Sequence, residues 1–193
     1  MQGLSDVGRN FDIGSILIGT TADGDPEFAE LMQISDSKKI PVSLVRRGDD
    51  LAIGGVAIQI LNPPENLPDS KAANNSSVVM KITFGSRVFL MTGDIEKETE
   101  ADLLAESSLD LHADVIKVAH HGSRTSSTEK FVERVGAGTA VISVGRKSRF
   151  GHPHPEIVTR WRNSGANVLK TGDKGTVTVK TDGNQIEIRT FAR

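Results

Sequence analysis

Short runs of apolar, often β-branched residues recur along the chain, and two of them stop abruptly at side chains capable of chemistry. Val88-Phe89-Leu90-Met91 leads into Thr92-Gly93-Asp94, and Asp114-Val115-Ile116-Lys117-Val118-Ala119 leads into His120-His121-Gly122-Ser123. Runs of this kind predict buried strands, and in α/β folds the groups just past a strand's carboxyl end line a site. Asp94 and the His120-His121 pair are therefore the first candidates for function.

The same pattern predicts the other elements. Strands are expected over 15–19, 41–45, 51–53, 55–61, 77–84 and 87–92, with Gly54-Gly55 and Gly85-Ser86 as tight hairpin turns. Phe28, Leu31 and Met32 have helical spacing behind Pro26, which marks a helix start. The stretch from Asn62 through Pro68, extended through Asn74-Asn75, reads as a surface loop. After it the pattern alternates: helix 96–106 with Ala101, Leu103 and Leu104 on its apolar side, strand 114–119, helix 128–135, strand 139–144, helix 155–163 and strand 167–171. Two closing strands, 175–181 and 185–190, turn at Asp182-Gly183-Asn184. A β-rich first part followed by βαβαβαββ predicts an α/β fold.

Composition narrows the function classes. The 193 residues can bury the core of a single domain over 1–193, and the net charge of −2 gives no global electrostatic footprint for nucleic acid. With no cysteine, a metal must be held by His, Asp, Glu or Asn. No run approaches the roughly 20 apolar residues of a membrane helix, and the segment from Met1 to Asp6 does not read as a signal peptide. Compartment stays unassigned.

Zinc and similar divalent ions take imidazole nitrogen and carboxylate oxygen, and an aspartate can bridge two ions while a histidine holds one. Asp94 also fits a helix cap ahead of Ile95-Glu96-Lys97-Glu98, but the pairing of Thr-Gly-Asp with His-His-Gly-Ser favours metal. A third polar cluster, Arg149-Phe150-Gly151-His152-Pro153-His154-Pro155-Glu156, again follows a predicted strand. Gly151 would let the backbone at His152 approach a ligand closely; His154 fits a ligand contact or an exposed helix entry equally well. Ser123 and Arg124 suit phosphate oxygens, whereas Ser126 and Ser127 suit helix capping.

Asn74-Asn75-Ser76-Ser77-Val78-Val79, Met91-Thr92-Gly93-Asp94, the 114–123 segment and Gly151-His152-Pro153-His154-Pro155 together resemble, in order and spacing, the metallo-β-lactamase-like domain of ComEC-type competence proteins, the membrane DNA-uptake channels. The resemblance implies an αβ/βα sandwich of two mixed sheets with outer helices, and a metal-dependent phosphodiesterase or nuclease acting on DNA through a two-zinc site, with Mn2+ as an alternative ion. Carried onto this chain, Asp94 resembles the metal-bridging aspartate, His121 the late ligand histidine, and His120 and His152 the groups near the substrate phosphate. Ser123, Arg124, His154 and Asn74 fall where substrate contacts are implied. The choice between His120 and His121 as ligand is left open.

Two departures stand out. The HxHxDH or HxDxDH motif expected just ahead of Gly3-Leu4 is absent, so the fold is expected to be truncated at its N-terminus and its metal site incomplete. An asparagine, near Asn74 or Asn75, stands where the superfamily's middle histidine would be, as in the ComEC-type subgroup. Exposed sheet edges would then favour a homodimer, and a membrane-channel domain is an expected neighbour in a longer protein. The alternatives to catalysis are a non-catalytic module binding DNA through Lys117, Arg124, Arg146, Lys147 and Arg149, and a structural remnant without ligand.

Overall fold

A computed structural model describes residues 2–22, 24–66 and 73–191. The elements in order are α1 Gln2–Asn10, β1 Ile16–Ile18, α2 Pro26–Lys38, β2 Val42–Leu44, β3 Asp50–Ile53, β4 Val56–Asn62, β5 Val79–Phe84, β6 Arg87–Met91, α3 Lys97–Ala105, β7 Val115–Lys117, α4 Glu129–Val135, β8 Thr139–Ile142, α5 Pro155–Asn163, β9 Asn167–Lys170, α6 Thr171–Lys174, β10 Thr176–Thr181 and β11 Ile186–Phe191. The expected strands and the helices after Pro26 are present. Residues 67–72 of the expected loop lie outside the described residues.

Seven strands form one mixed sheet in strictly sequential order, β3 through β9. The first four are antiparallel and joined by hairpins, with Ile53 opposite Val56 and Phe84 opposite Arg87. From β6 onward the pairing is parallel, and α3, α4 and α5 each carry the chain back for the next strand. A cross-strand row Leu90–Ile116–Ala140–Val168 packs with Leu103, Phe131, Val135, Ile157 and Trp161 into the main core. The sheet stands where two mixed sheets are expected; the remaining strands form separate pairs, β1 parallel to β2 and β10 antiparallel to β11. The α/β class holds, with one large mixed sheet and helices against it.

Four local expectations are corrected. Helix α1, unheralded in the sequence because Gly3 and Gly8 interrupt its pattern, occupies Gln2–Asn10. Asn62 ends β4 as a buried residue, its amide donating to the Asn75 and Ser77 carbonyls, so the loop begins inside rather than at the surface. In α3, Ala101 is exposed while Thr99 and Glu100 are buried. Ser126 and Ser127 do not cap α4: the Ser126 hydroxyl bonds the Ala119 and Ser123 carbonyls, and the buried Glu100 carboxylate accepts the Ser127 and Thr128 amides instead. A carboxylate at the helix start satisfies donors that a serine would otherwise meet.

Candidate active site

The junction between the antiparallel and parallel halves of the sheet decides what meets at its edge. Met91 lies opposite Lys117, so the residues following β6 and β7 emerge side by side. Thr92 turns inward and its hydroxyl donates to the Lys117 carbonyl at 2.7 Å. Gly93 follows with φ +58, and a Cβ there would stand 2.5 Å from the Ser77 Cβ. That approach lets the Asp94 amide donate to Ser77 Oγ at 3.1 Å and turns the carboxylate toward β7. Asp94 does not cap α3; Glu96 occupies the cap position.

His120 and His121 both adopt left-handed backbone, φ +47 and +54, and Gly122 continues the turn at φ +79. Consecutive non-glycine residues in this region are sterically costly, and such conformations concentrate at functional sites. The tight turn sends the two rings apart. His121 Nδ1 lies 2.6 Å from the Ser143 carbonyl just past β8. A carbonyl only accepts, so Nδ1 carries the proton, and Nε2 faces Asp94 Oδ2 at 3.5 Å. His120 Nδ1 lies instead 3.2 Å from Glu96 Oε1 and 3.3 Å from Thr125 Oγ1.

The third cluster closes over these two. The His152 ring stands edge-on to His120 at 5.6 Å and to His154 at 5.3 Å. The His154 amide donates to the Gly122 carbonyl, and a Cβ on Gly122 would lie 2.6 Å from Pro153 Cβ, so this turn must be glycine to let the loop dock. Burial lowers the His152 pKa, helped by His120, His154 and His121 and opposed by Asp94. Its imidazole is therefore neutral near neutral pH.

Asp94 sits in a mixed field. Burial pushes its carboxyl up, but the Lys117 ammonium, His121 and His120 together hold it below the usual range. Lys117 Nζ donates to Asp94 Oδ1 at 3.2 Å and to the Gly93 carbonyl at 2.7 Å. Two ligands on one tetrahedral ion, each bonded at about 2.1 Å, stand roughly 3.4 Å apart. The 3.5 Å between His121 Nε2 and Asp94 Oδ2 matches that bite, and the Ser143 carbonyl supplies the outer hydrogen bond that orients ligand histidines. The pair fits a divalent ion as two of its ligands. Among the described residues no group of three or more such side chains converges.

The remaining sequence candidates divide. Asn74 lies at the margin, its amide reaching Glu96 Oε1 at 3.3 Å. Asn75 is buried and spent on the Glu96 amide and the Thr99 hydroxyl, a structural junction. Ser123 Oγ pairs with Thr125 Oγ1 at 3.1 Å. Arg124 is ion-paired with Glu156 at the surface. The fold adds one site group that the sequence pattern does not single out, Glu96, which gathers Asn74, Thr125 and His120; Lys117, expected only as a DNA-binding cation, stands against Asp94 instead. Its place in a β-branched run gives Lys117 a sequence signal, though not its partner. Glu96 carries none, because an acid at a helix start is commonplace.

No protein-family model matches the chain. Relatives do. ComE operon protein 3 of Bacillus subtilis (strain 168) is 33% identical over 153 residues, 79% of this chain and 19% of that protein. Recombination protein 2 of Haemophilus influenzae is 32% identical over 142 residues, covering 74% and 17% of the two chains. Competence protein ComA of Neisseria gonorrhoeae is 32% identical over 123 residues, covering 63% and 17%. The chain is a homologue of the ComEC-type competence proteins. It spans about a fifth of the length of these curated relatives. Among solved structures, CmlA beta-hydroxylase aligns with 81% of the ComEC homologue and 38% of its own chain at 12% identity and a TM-score of 0.49. Among the described residues, no helix of the ComEC homologue is long and apolar enough to cross a membrane.

Proposed function

We propose that this ComEC homologue is a metal-dependent phosphodiesterase or nuclease domain that acts on DNA during uptake. The observation that carries the reading is the convergence of Asp94 and His121 at 3.5 Å with the His120–His152–His154 cluster beside them. Kinship with a competence protein and a recombination protein favours DNA as the phosphodiester.

In this reading Asp94 and His121 hold a zinc or manganese ion, which when bound supplies Lewis acidity and an activated water. About three or four ligands complete such a site; the others come from solvent, the substrate phosphate or a neighbouring segment of a longer protein. His152, kept neutral, accepts or relays a proton, and His120, held by Glu96 and Thr125, faces the phosphate. Asn74, Ser123 and His154 form its polar margin, while Arg124 contacts substrate only after leaving Glu156.

The test is elemental analysis and zinc titration of the chain beside an Asp94→Ala, His121→Ala double variant. Near-stoichiometric metal in the wild type, lost in the variant, supports the site and is followed by metal-dependent cleavage of a DNA oligonucleotide. Equal metal content in both proteins overturns it. A second reading, a non-catalytic DNA-binding module, draws on Lys117, whose ammonium already neutralises Asp94; binding that survives chelation without any cleavage would favour it.

A further inference from the structure

Phe150 is the most exposed large apolar residue among those described, at 78%. It fills no part of the core, yet the backbone beneath it is fixed. Ser148 Oγ accepts the Phe150 amide at 3.3 Å and the His152 amide at 3.2 Å, and the Gly151 amide returns to the Ser148 carbonyl. The Phe150 ring stands 5.9 Å from the His152 ring at a shallow 33°. An aromatic face is thus presented to solvent on a defined scaffold, one residue removed from the site loop.

Cations surround it. Arg146, Lys147 and Arg149 are all exposed. Lys147 and Arg149 make no ion pair among the described residues, and Asp173, which feels Arg146, is already held by Lys170 at 2.7 Å. Between this loop and the active site runs a groove of about 380 Å³ lined by His121, Ser143, Ser148, Phe150, His152 and Thr171. Free positive charge beside an exposed aromatic, leading into a phosphate-facing cluster, is complementary to a polyanion whose base faces are open. Duplex bases are stacked on one another and offer no such face; unpaired bases do.

We infer that the 145–150 loop is a landing platform for single-stranded nucleic acid, with a base stacked on Phe150 and the flanking phosphates met by Lys147 and Arg149. A base on Phe150 is then one sugar away from a phosphate lying beside His152. The inference rests on the phosphodiesterase reading for what the strand is delivered to, but the binding itself needs no metal.

The experiment uses the full chain in EDTA, so that no cleavage occurs, with a fluorescent oligothymidylate of about 15 nucleotides, a length within the usual single-strand site sizes. Fluorescence anisotropy should show tighter binding to this strand than to a duplex of equal length. Phe150→Ala should weaken single-strand binding about five- to a hundredfold, as expected for loss of one stacking face, while Phe150→Trp should restore it and show tryptophan quenching on binding. Arg149→Ala should lower the salt slope by about 0.7. Equal affinity for strand and duplex, or an unaltered Phe150→Ala variant, overturns the inference. So does binding to phosphatidylserine vesicles without binding to the oligonucleotide, which would assign the patch to a lipid surface. Because metal is chelated throughout, loss of the metal site leaves this readout unchanged, and loss of stacking leaves the zinc titration unchanged.

Discussion

His121 Nε2 faces Asp94 Oδ2 across 3.5 Å while the other ring nitrogen is committed to the Ser143 carbonyl. With Nδ1 holding the proton, two lone-pair atoms confront one another, an arrangement that calls for a cation or a proton between them. Lys117 answers only in part, because its ammonium lies on the opposite carboxylate oxygen.

That placement makes Lys117 a competitor for Asp94. Replacing it by methionine keeps the stem and removes the charge, so divalent-ion affinity at the Asp94–His121 pair should rise roughly tenfold, the size of a one-unit change in electrostatic free energy. Isothermal titration with zinc reads this directly. A fall in affinity would mean that Lys117 mainly orients the carboxylate.

Gly93 holds the loop between β6 and Asp94 at φ +58, with Ser77 pressed against it. Gly93→Ala meets both a left-handed backbone and a 2.5 Å approach to the Ser77 Cβ, so it should destabilise the fold by about 1–3 kcal/mol. Urea denaturation measures the loss. Metal retention should fall with it, since the Asp94 amide depends on Ser77 for its position.

Glu100 gives the fold a pH signature. Burial raises its carboxyl above the usual glutamate range, against the pull of the Thr128 and Ser127 amides and Arg160. Between the unfolded and folded pKa values the folded state holds more protons, so this contribution favours folding below the unfolded pKa and is lost as pH rises through the folded one. Wild type should therefore lose thermal stability relative to Glu100→Gln as the pH climbs out of the ordinary glutamate range. Parallel Tm curves for the two proteins across that window would show that Glu100 titrates normally.

Strands β1 and β2 form a parallel pair on their own, with Leu17 and Leu44 exposed. Parallel sheets are ordinarily covered on both faces, and two strands alone are marginal. Self-association in the micromolar range is expected, and Leu17→Lys with Leu44→Lys should abolish it in sedimentation velocity. A wild-type monomer at high concentration would count against this edge as a contact.

The strand runs and the residues that end them were legible without coordinates, because burial leaves a local trace: β-branched stretches bounded by glycine and polar side chains. The same pattern located Asp94, His120 and His121 at strand ends and His152 in the loop ahead of α5. What it could not carry was the partner of each group. Only the parallel register of β6 with β7 sets Asp94 beside His121, and only the left-handed turn at 120–122 sends one ring to Asp94 and the other to Glu96. Arg124 belongs to Glu156, and Glu100 caps a helix some 28 residues away, for the same reason. Local sequence records which face a residue turns inward; which charge meets it there is decided by chain segments that come together only when the sheet closes.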